Sequence, residues 1–239
     1  MNNVKIFVDL DGVVVDLYGG LNELFNVKFK ESSKVLGHEM FPSVHYGNYY
    51  LKLEGVLNPL RKPVNFKNKK TIEEYFFFEK IHKTNLFEYV HSEVDPYEFW
   101  FNLKKNCVDK KGYLFWDILI DDFGIDNIYI LSAATKVNTG ACKKAKFDWV
   151  SKNLPFIKAG NVIILDSFHE KYKYAEDNHK NVLIDDFSFL VEDWRKNGGT
   201  AILFDQNKLK KSLKQIKELK SRIELFDKIK NIKIFKEEV

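Results

Sequence analysis

Five short runs of apolar residues punctuate the chain, and each stops on a polar side chain. Residues 4–8 (VKIFV) lead into Asp9, 128–131 (IYIL) into Ser132, 162–165 (VIIL) into Asp166, 182–184 (VLI) into Asp185, and 201–204 (AILF) into Asp205. Runs this short, with almost no polar alternation, read as strands buried on both faces. Between them the pattern turns helical, over residues 143–153 and 189–197, and Gly198-Gly199 stops the second stretch. Short apolar strands alternating with helices predict an α/β fold with a parallel sheet covered on both sides. Ligands of such sheets collect beyond the carboxyl ends of the strands, where Asp9, Ser132, Asp185 and Asp186 all fall.

The alternation lapses between the first two runs. Residues 18–126, rich in Phe, Tyr and Trp, are expected to form a mostly helical cap inserted after the first strand. Within it residues 35–70, with Pro42, Gly47, Gly55, Pro59 and Pro63, read as largely loop. The expected division is thus a core at 1–17 and 127–206, the cap at 18–126, and a C-terminal amphipathic helix at 207–239. In that last stretch Leu209, Leu213, Ile216, Ile223 and Phe226 recur at helical spacing, so its lysines read as the solvated face of a helix packed on the core.

Composition narrows the class. With 45% hydrophobic and 30% charged residues over 239 positions, the chain has the balance of a folded globular protein. A formal charge of +4 points neither toward nucleic acid nor away from it. Two cysteines, Cys107 and Cys142, are too few for a disulfide framework and lack metal-ligand spacing. Together with the absence of a basic leader or a long apolar run, this gives the expectation of a cytoplasmic protein without a membrane partner.

The segment Phe7-Val8-Asp9-Leu10-Asp11-Gly12 carries the chemistry. Two carboxylates one residue apart, directly after a buried strand, meet at one cation and one substrate if the chain bends at once, and Gly12 permits that bend. The pattern Asp-x-Asp-Gly also occurs in calcium loops and simple turns. Here a strand precedes it, and no Glu follows where a calcium-binding helix-loop-helix needs one.

The string DLDGVVVD resembles the first motif of the haloacid dehalogenase superfamily. The longer VDLDGVVVDLYGGLNELFN is similar to that region of its 5′(3′)-deoxyribonucleotidase family, including the Gly19-Gly20 pair. Ser132 in IYILSAATK resembles the second motif, Lys146 in KFDWV the third-motif lysine, and Asp185-Asp186 in VLIDDF the fourth. The later GGTAILFDQ is similar to the family's glycine-rich stretch before its final strand. The resemblance spans roughly residues 1–20 and 128–206, and leaves out the cap.

The resemblance implies a Rossmann-like core and a magnesium-dependent phosphomonoesterase. In that reading Asp9 attacks phosphorus to form an aspartyl-phosphate, while Asp11 protonates the leaving oxygen and later deprotonates water. Mg2+ is held by the Asp9 carboxylate, the Asp11 backbone carbonyl and Asp186. Ser132 and Lys146 bind phosphoryl oxygens beside Ala133, Lys136 matches a second phosphate-contacting lysine, and Asp185 orients Lys146. The implied substrate is a small phosphate ester, with deoxyribonucleoside monophosphates first; a homodimer stays open.

Three departures bear on the substrate. Leu17 stands where the nucleotidases carry an aromatic residue lining the base pocket, Ala133 replaces a small hydroxyl residue, and the cap is longer than the family's usual four-helix insertion. The runs Tyr75-Phe76-Phe77-Phe78 and Phe99-Trp100-Phe101 offer rings for stacking, although such clusters more often form core. Two other readings stand: a phosphatase for another ester or for a nucleic-acid terminal phosphate, and a binding module that keeps the fold without catalysis.

Overall fold

The structure, a computed structural model, describes residues 4–17, 20, 95–106, 114–135, 138–205 and 208–237, with side chains described as far as residue 228. All five apolar runs are strands: β1 (Lys5–Val8), β2 (Ile128–Ala133), β3 (Val162–Leu165), β4 (Asn181–Asp185) and β5 (Thr200–Leu203). Among the described residues they form one sheet in the order β3-β2-β1-β4-β5, every pair parallel. The chain builds outward from β1 to β3, then returns to the other side of β1 for β4 and β5. The crevice where the order reverses therefore opens between the ends of β1 and β4.

Helices follow as α1 (Pro96–Phe101), α2 (Leu114–Phe123), α3 (Thr139–Asn153), α4 (Ser188–Lys196), α5 (Leu209–Lys217) and α6 (Leu219–Glu237). A 3-10 segment, Phe168–Tyr174, carries the chain from β3 toward β4. The strands lack polar alternation because each face is buried against a different layer. Ile6, Val8, Ile128, Ile130, Val182, Ile184 and Ile202 join one core with residues of α1, α2, α3, α5 and α6. Their sequence neighbours Phe7, Leu131, Leu183 and Ala201 join a second core around Leu190, Val191 and Trp194 of α4. This is the period-two geometry of a strand applied to a sheet with two covered faces.

Most of the stretch expected to form the cap, including the 35–70 segment and the aromatic run at 75–78, lies outside the described residues. Its described end is part of the packing around the sheet. Asp95 caps α1, accepting from the Tyr97 and Glu98 N–H groups, and α1 lies on α3. Phe115, Trp116, Leu119 and Phe123 of α2 are buried in the first core. Of the Phe99-Trp100-Phe101 rings, Phe99 and Trp100 are buried core, and Phe101 stacks on Tyr97 at 5.4 Å.

Two boundaries differ from the sequence reading. Helix α3 starts at Thr139 rather than 143, from a left-handed Asn138. The C-terminal stretch is two helices meeting at Glu218. Ile216, Leu219 and Ile223 are buried, whereas Phe226 is 53% exposed, so the buried stripe expected to include Phe226 does not reach it. Helix α4 ends as expected, with Gly198 at φ 82° and the Gly199 N–H returning to the Trp194 carbonyl, a left-handed stop that favours glycine. No helix among the described residues is long and apolar enough to cross a membrane.

Candidate active site

Strand β1 ends by delivering Asp9 into the crevice, and the next six residues fold back on themselves. The Val14 and Val15 N–H groups donate to the Leu10 carbonyl at 2.9 Å, and the Gly12 N–H donates to the Val15 carbonyl at 3.0 Å. Gly12 holds φ 74°, and a Cβ there would lie 2.0 Å from Asp186 Oδ2. Glycine is thus required twice, by the bend and by the approach of the β4 terminus. Val13, Val14 and Val15 are buried, so the tight turn is anchored by apolar side chains while its carboxylates face the crevice.

The two carboxylates after β1, Asp9 and Asp11, each have their own buried lysine. Asp9, 6% exposed, accepts at Oδ1 from its neighbour's N–H (Leu10) and from Lys171 Nζ, both at 2.8 Å. Asp9 Oδ2 takes part in neither bond. Lys171 also donates to Asp185 Oδ2 at 2.8 Å, so one ammonium bridges the ends of β1 and β4. Asp185, fully buried, uses its other oxygen to accept from the Phe187 N–H at 2.8 Å. Lys146, reaching in from α3, pairs with Asp11 Oδ2 and donates to the Ala133 carbonyl at 2.5 Å and to Ser132 Oγ at 3.2 Å. Its ammonium also lies 4.3 Å from the Trp100 ring centroid, on the electron-rich face. Asp11 Oδ1 is buried and has no hydrogen-bond partner among the described residues.

Asp9, Asp185 and Asp186 bring carboxylate oxygens within 4.8 Å of one another, a set that could hold a metal ion. The donors are all hard oxygens, which suits magnesium or calcium rather than a thiophilic ion. Among the described residues, the four carboxylates Asp9, Asp11, Asp185 and Asp186 gather here with the ammoniums of Lys146 and Lys171, an excess of negative charge that a divalent cation would relieve. The titration behaviour reports the same crowding. Burial pushes Asp186 well above the ordinary carboxylate range, with Asp185 and Asp9 adding to it. Burial also raises Asp185 to about 6 despite Lys171. Asp11 is raised by burial, which Lys146 opposes and Asp9 reinforces. Burial alone would depress Lys171, but Asp185 and Asp9 outweigh it and push its ammonium up.

Every expected site residue that is described lies at this edge: Asp9, Asp11, Ser132, Ala133, Lys146, Asp185 and Asp186. Lys136 lies outside the described residues. One expectation needs correction. Asp185 holds Lys171 and not Lys146, because Lys146 approaches from the α3 side and is taken up by Asp11 and the end of β2. The gathered carboxylate triad adds Asp185 to the expected Asp9 and Asp186.

Two residues escaped the sequence reading. Lys171 sits in the polar string FHEKYKY, where nothing distinguishes it from Lys173; the first is 2% exposed, while the second reaches out to Glu170. Asn106, 3% exposed, lies in KKNC with no periodic signal, and it donates to the carbonyls of Gly12 and Val13. Leu17, at the position of the expected base-pocket aromatic, is buried in the first core.

A scan against protein-family models and a search of curated proteins returned no match for this chain.

Proposed function

We propose that this protein is a magnesium-dependent phosphomonoesterase of the haloacid dehalogenase type that works through an aspartyl-phosphate on Asp9, with nucleoside monophosphates, deoxyribonucleotides first, as substrates. The observation that carries the reading is the pairing of Asp9 and Asp11 at the switch point of a parallel sheet, each held by its own buried lysine, with Asp186 alongside. A binding protein has no use for two adjacent carboxylates in such different settings. Asp9 is fixed through one oxygen, which leaves the other to attack; Asp11 is half-buried, with one oxygen that accepts no hydrogen bond among the described residues and a raised proton affinity, as a general acid needs.

Phosphate-monoester hydrolysis is among the slowest reactions in water, so a catalyst must neutralise charge, align the attack and supply a proton. Asp9 Oδ2 attacks phosphorus, and the P–O bond to the leaving group breaks as Asp11 passes its proton to that oxygen. Asp11, now a carboxylate, takes a proton from the water that opens the acyl phosphate, which releases phosphate and restores Asp9. Lys171 holds Asp9 at a fixed angle, and Lys146 with Ser132 offers donors to phosphoryl oxygens on the β2 side. Asp9 and Asp186 would hold magnesium, with Asp185 behind them keeping Lys171 in place. Bound there, the cation would supply charge neutralisation for the phosphoryl group.

The test is phosphate release from a panel of deoxy- and ribonucleoside monophosphates, sugar phosphates and 3′- or 5′-phosphorylated oligonucleotides, with magnesium, comparing the native chain with Asp9→Asn. Turnover of deoxymononucleotides by the native chain alone supports the proposal in full. Turnover confined to another ester keeps the mechanism and moves the substrate, and silence across the panel counts for the binding-module reading.

A further inference from the structure

The general acid of this scheme sits on a turn whose geometry is set from nearly a hundred residues away. Residues 100–106 run between α3 and the turn and grip both. On the α3 side the Trp100 ring covers the Lys146 ammonium, and Trp149 Nε1 donates to the Leu103 carbonyl at 2.7 Å. On the other side the Asp16 N–H donates to the Lys104 carbonyl at 2.9 Å, and Lys105 pairs with Val15 in an antiparallel bridge. Asn106 closes the grip. Its Nδ2 donates to the Gly12 carbonyl at 2.9 Å and the Val13 carbonyl at 3.1 Å, and its own N–H donates to the Val14 carbonyl at 2.8 Å. Three successive carbonyls of the turn after Asp11 are thus satisfied by one buried residue.

We propose that Asn106 is a positioning residue for the Asp11 carboxyl: by tying the carbonyls of residues 12–14 it fixes the turn in the one orientation that presents Asp11 to the leaving oxygen. This rests on the catalytic reading above. The bond pattern gives the side chain a task no apolar residue can do, because the Gly12 and Val13 carbonyls point into a dry interior where each needs a donor. Among the described residues Lys146 holds Asp11 at one oxygen and nothing bonds the other, so that oxygen is aimed by the backbone, and that backbone is held by Asn106.

The consequence is a leaving-group signature. An alkyl phosphate needs a proton on its departing oxygen as the P–O bond breaks, whereas p-nitrophenolate leaves without one. Misplacing Asp11 therefore slows alkyl esters far more than p-nitrophenyl phosphate. Asn106→Ala is expected to lower kcat/KM, which reports phosphorylation of Asp9 and not the later hydrolysis common to both esters, by about 10²-fold on the best alkyl ester, toward the lower end of what general acids contribute, and by about threefold or less on p-nitrophenyl phosphate. Asn106→Ser, which keeps a shorter donor, is expected to fall between. An equal loss on both esters, in variants whose thermal midpoints match the native chain, would overturn the proposal, since a merely structural residue lowers both alike.

Hydrogen exchange supplies a readout that needs no turnover. The amides of Gly12, Val14 and Val15 are bonded within the turn, and Asn106→Ala is expected to speed their exchange at least tenfold while β4 amides keep native protection. Unchanged exchange at those three amides would sink the idea that Asn106 holds the turn, whatever the activity. A native chain that turns over neither ester counts against the phosphatase reading itself and, with it, against a positioning role in catalysis.

Discussion

At the residue scale the site is a problem in uncompensated charge. Asp185 and Asp186 follow one another at the end of β4, Asp9 lies beside them, and burial raises the proton affinity of the β4 pair. In the metal-free folded protein these carboxyls, with Asp11, hold protons that the unfolded chain, near 3.8, would already have released. The folded state thus binds more protons, so stability must fall as pH rises from about 4 through the region of Asp185's value near 6 and beyond. The metal-free protein is expected to melt higher at pH 5 than at pH 7. A thermal scan with EDTA checks this, and each kcal/mol corresponds to about 2–4 °C in a chain of this length. Asp186→Asn removes one charge from the cluster; it is expected to raise the metal-free midpoint at pH 7 while abolishing the magnesium-induced rise, a stability gain at the expense of function. A lowered metal-free midpoint would show that the Asp186 carboxylate is compensated by contacts other than a cation.

Lys171 presents the opposite case. It is the ammonium shared by Asp9 and Asp185, and removing it leaves a buried pair of like charges. Lys171→Met is expected to destabilise by about 3–5 kcal/mol, the usual cost of stripping one partner from a buried ion pair, and to abolish turnover. Adding Asp185→Asn should recover part of the stability and none of the activity. Denaturant melts and phosphate release measure the two separately. The sequence could not single this lysine out because its string alternates charge and aromatic residues without an apolar run, and burial there is decided by the β3 to β4 crossover.

At the scale of elements, the turn from β1 is where sequence and structure agree most closely. The Asp-Leu-Asp-Gly string promised an immediate bend, and Gly12 makes it at φ 74° with no room for a methyl group beside Asp186. Gly12→Ala is expected to push Asp186 away and to lower turnover by about 10²-fold, the scale of a 1 Å misplacement, with a drop in magnesium affinity measurable by titration calorimetry. Native-like affinity would mean the turn yields elsewhere. The strands were legible for a simple reason: each is apolar on both faces, so Phe7 and its neighbours Ile6 and Val8 all read as core although they serve different cores. Helix α3 was legible from its middle and not from its start, because Asn138 opens it in a left-handed conformation that leaves no capping pattern. The C-terminal pattern ran together two helices, since Leu209 and Ile216 before Glu218 and Ile223 after it happen to keep helical spacing through the break.

For the whole molecule, the order of strands explains why residues scattered from Asp9 to Asp186 meet. Strand β1 is central, β2 brings Ser132 and Ala133 on one side, and β4 brings Asp185 and Asp186 on the other. Lys146 arrives from α3 on the face of the first core, and Lys171 from the 3-10 segment Phe168–Tyr174. The sheet and most of the candidate site could be read from the chain as strand-end polar residues. The partner of each lysine could not, because which carboxylate an ammonium reaches depends on the layer from which it comes. Magnesium at a hundred times its dissociation constant would stabilise the folded state by about 2.7 kcal/mol, so the ion alone, without substrate, should raise the thermal midpoint and EDTA should return it.

The central claim is that Asp9 carries the phosphoryl group, and the most direct measurement is to trap it there. The protein would be mixed with magnesium and whichever ester of the panel turns over fastest, quenched in acid, and reduced with borohydride, which converts an aspartyl-phosphate to homoserine. The peptide bearing Asp9 would then be read by mass spectrometry. Homoserine at position 9 in the native chain, and its absence in Asp9→Asn, is the predicted result; turnover that leaves Asp9 unmodified, or a modification at any other carboxylate, would contradict the account.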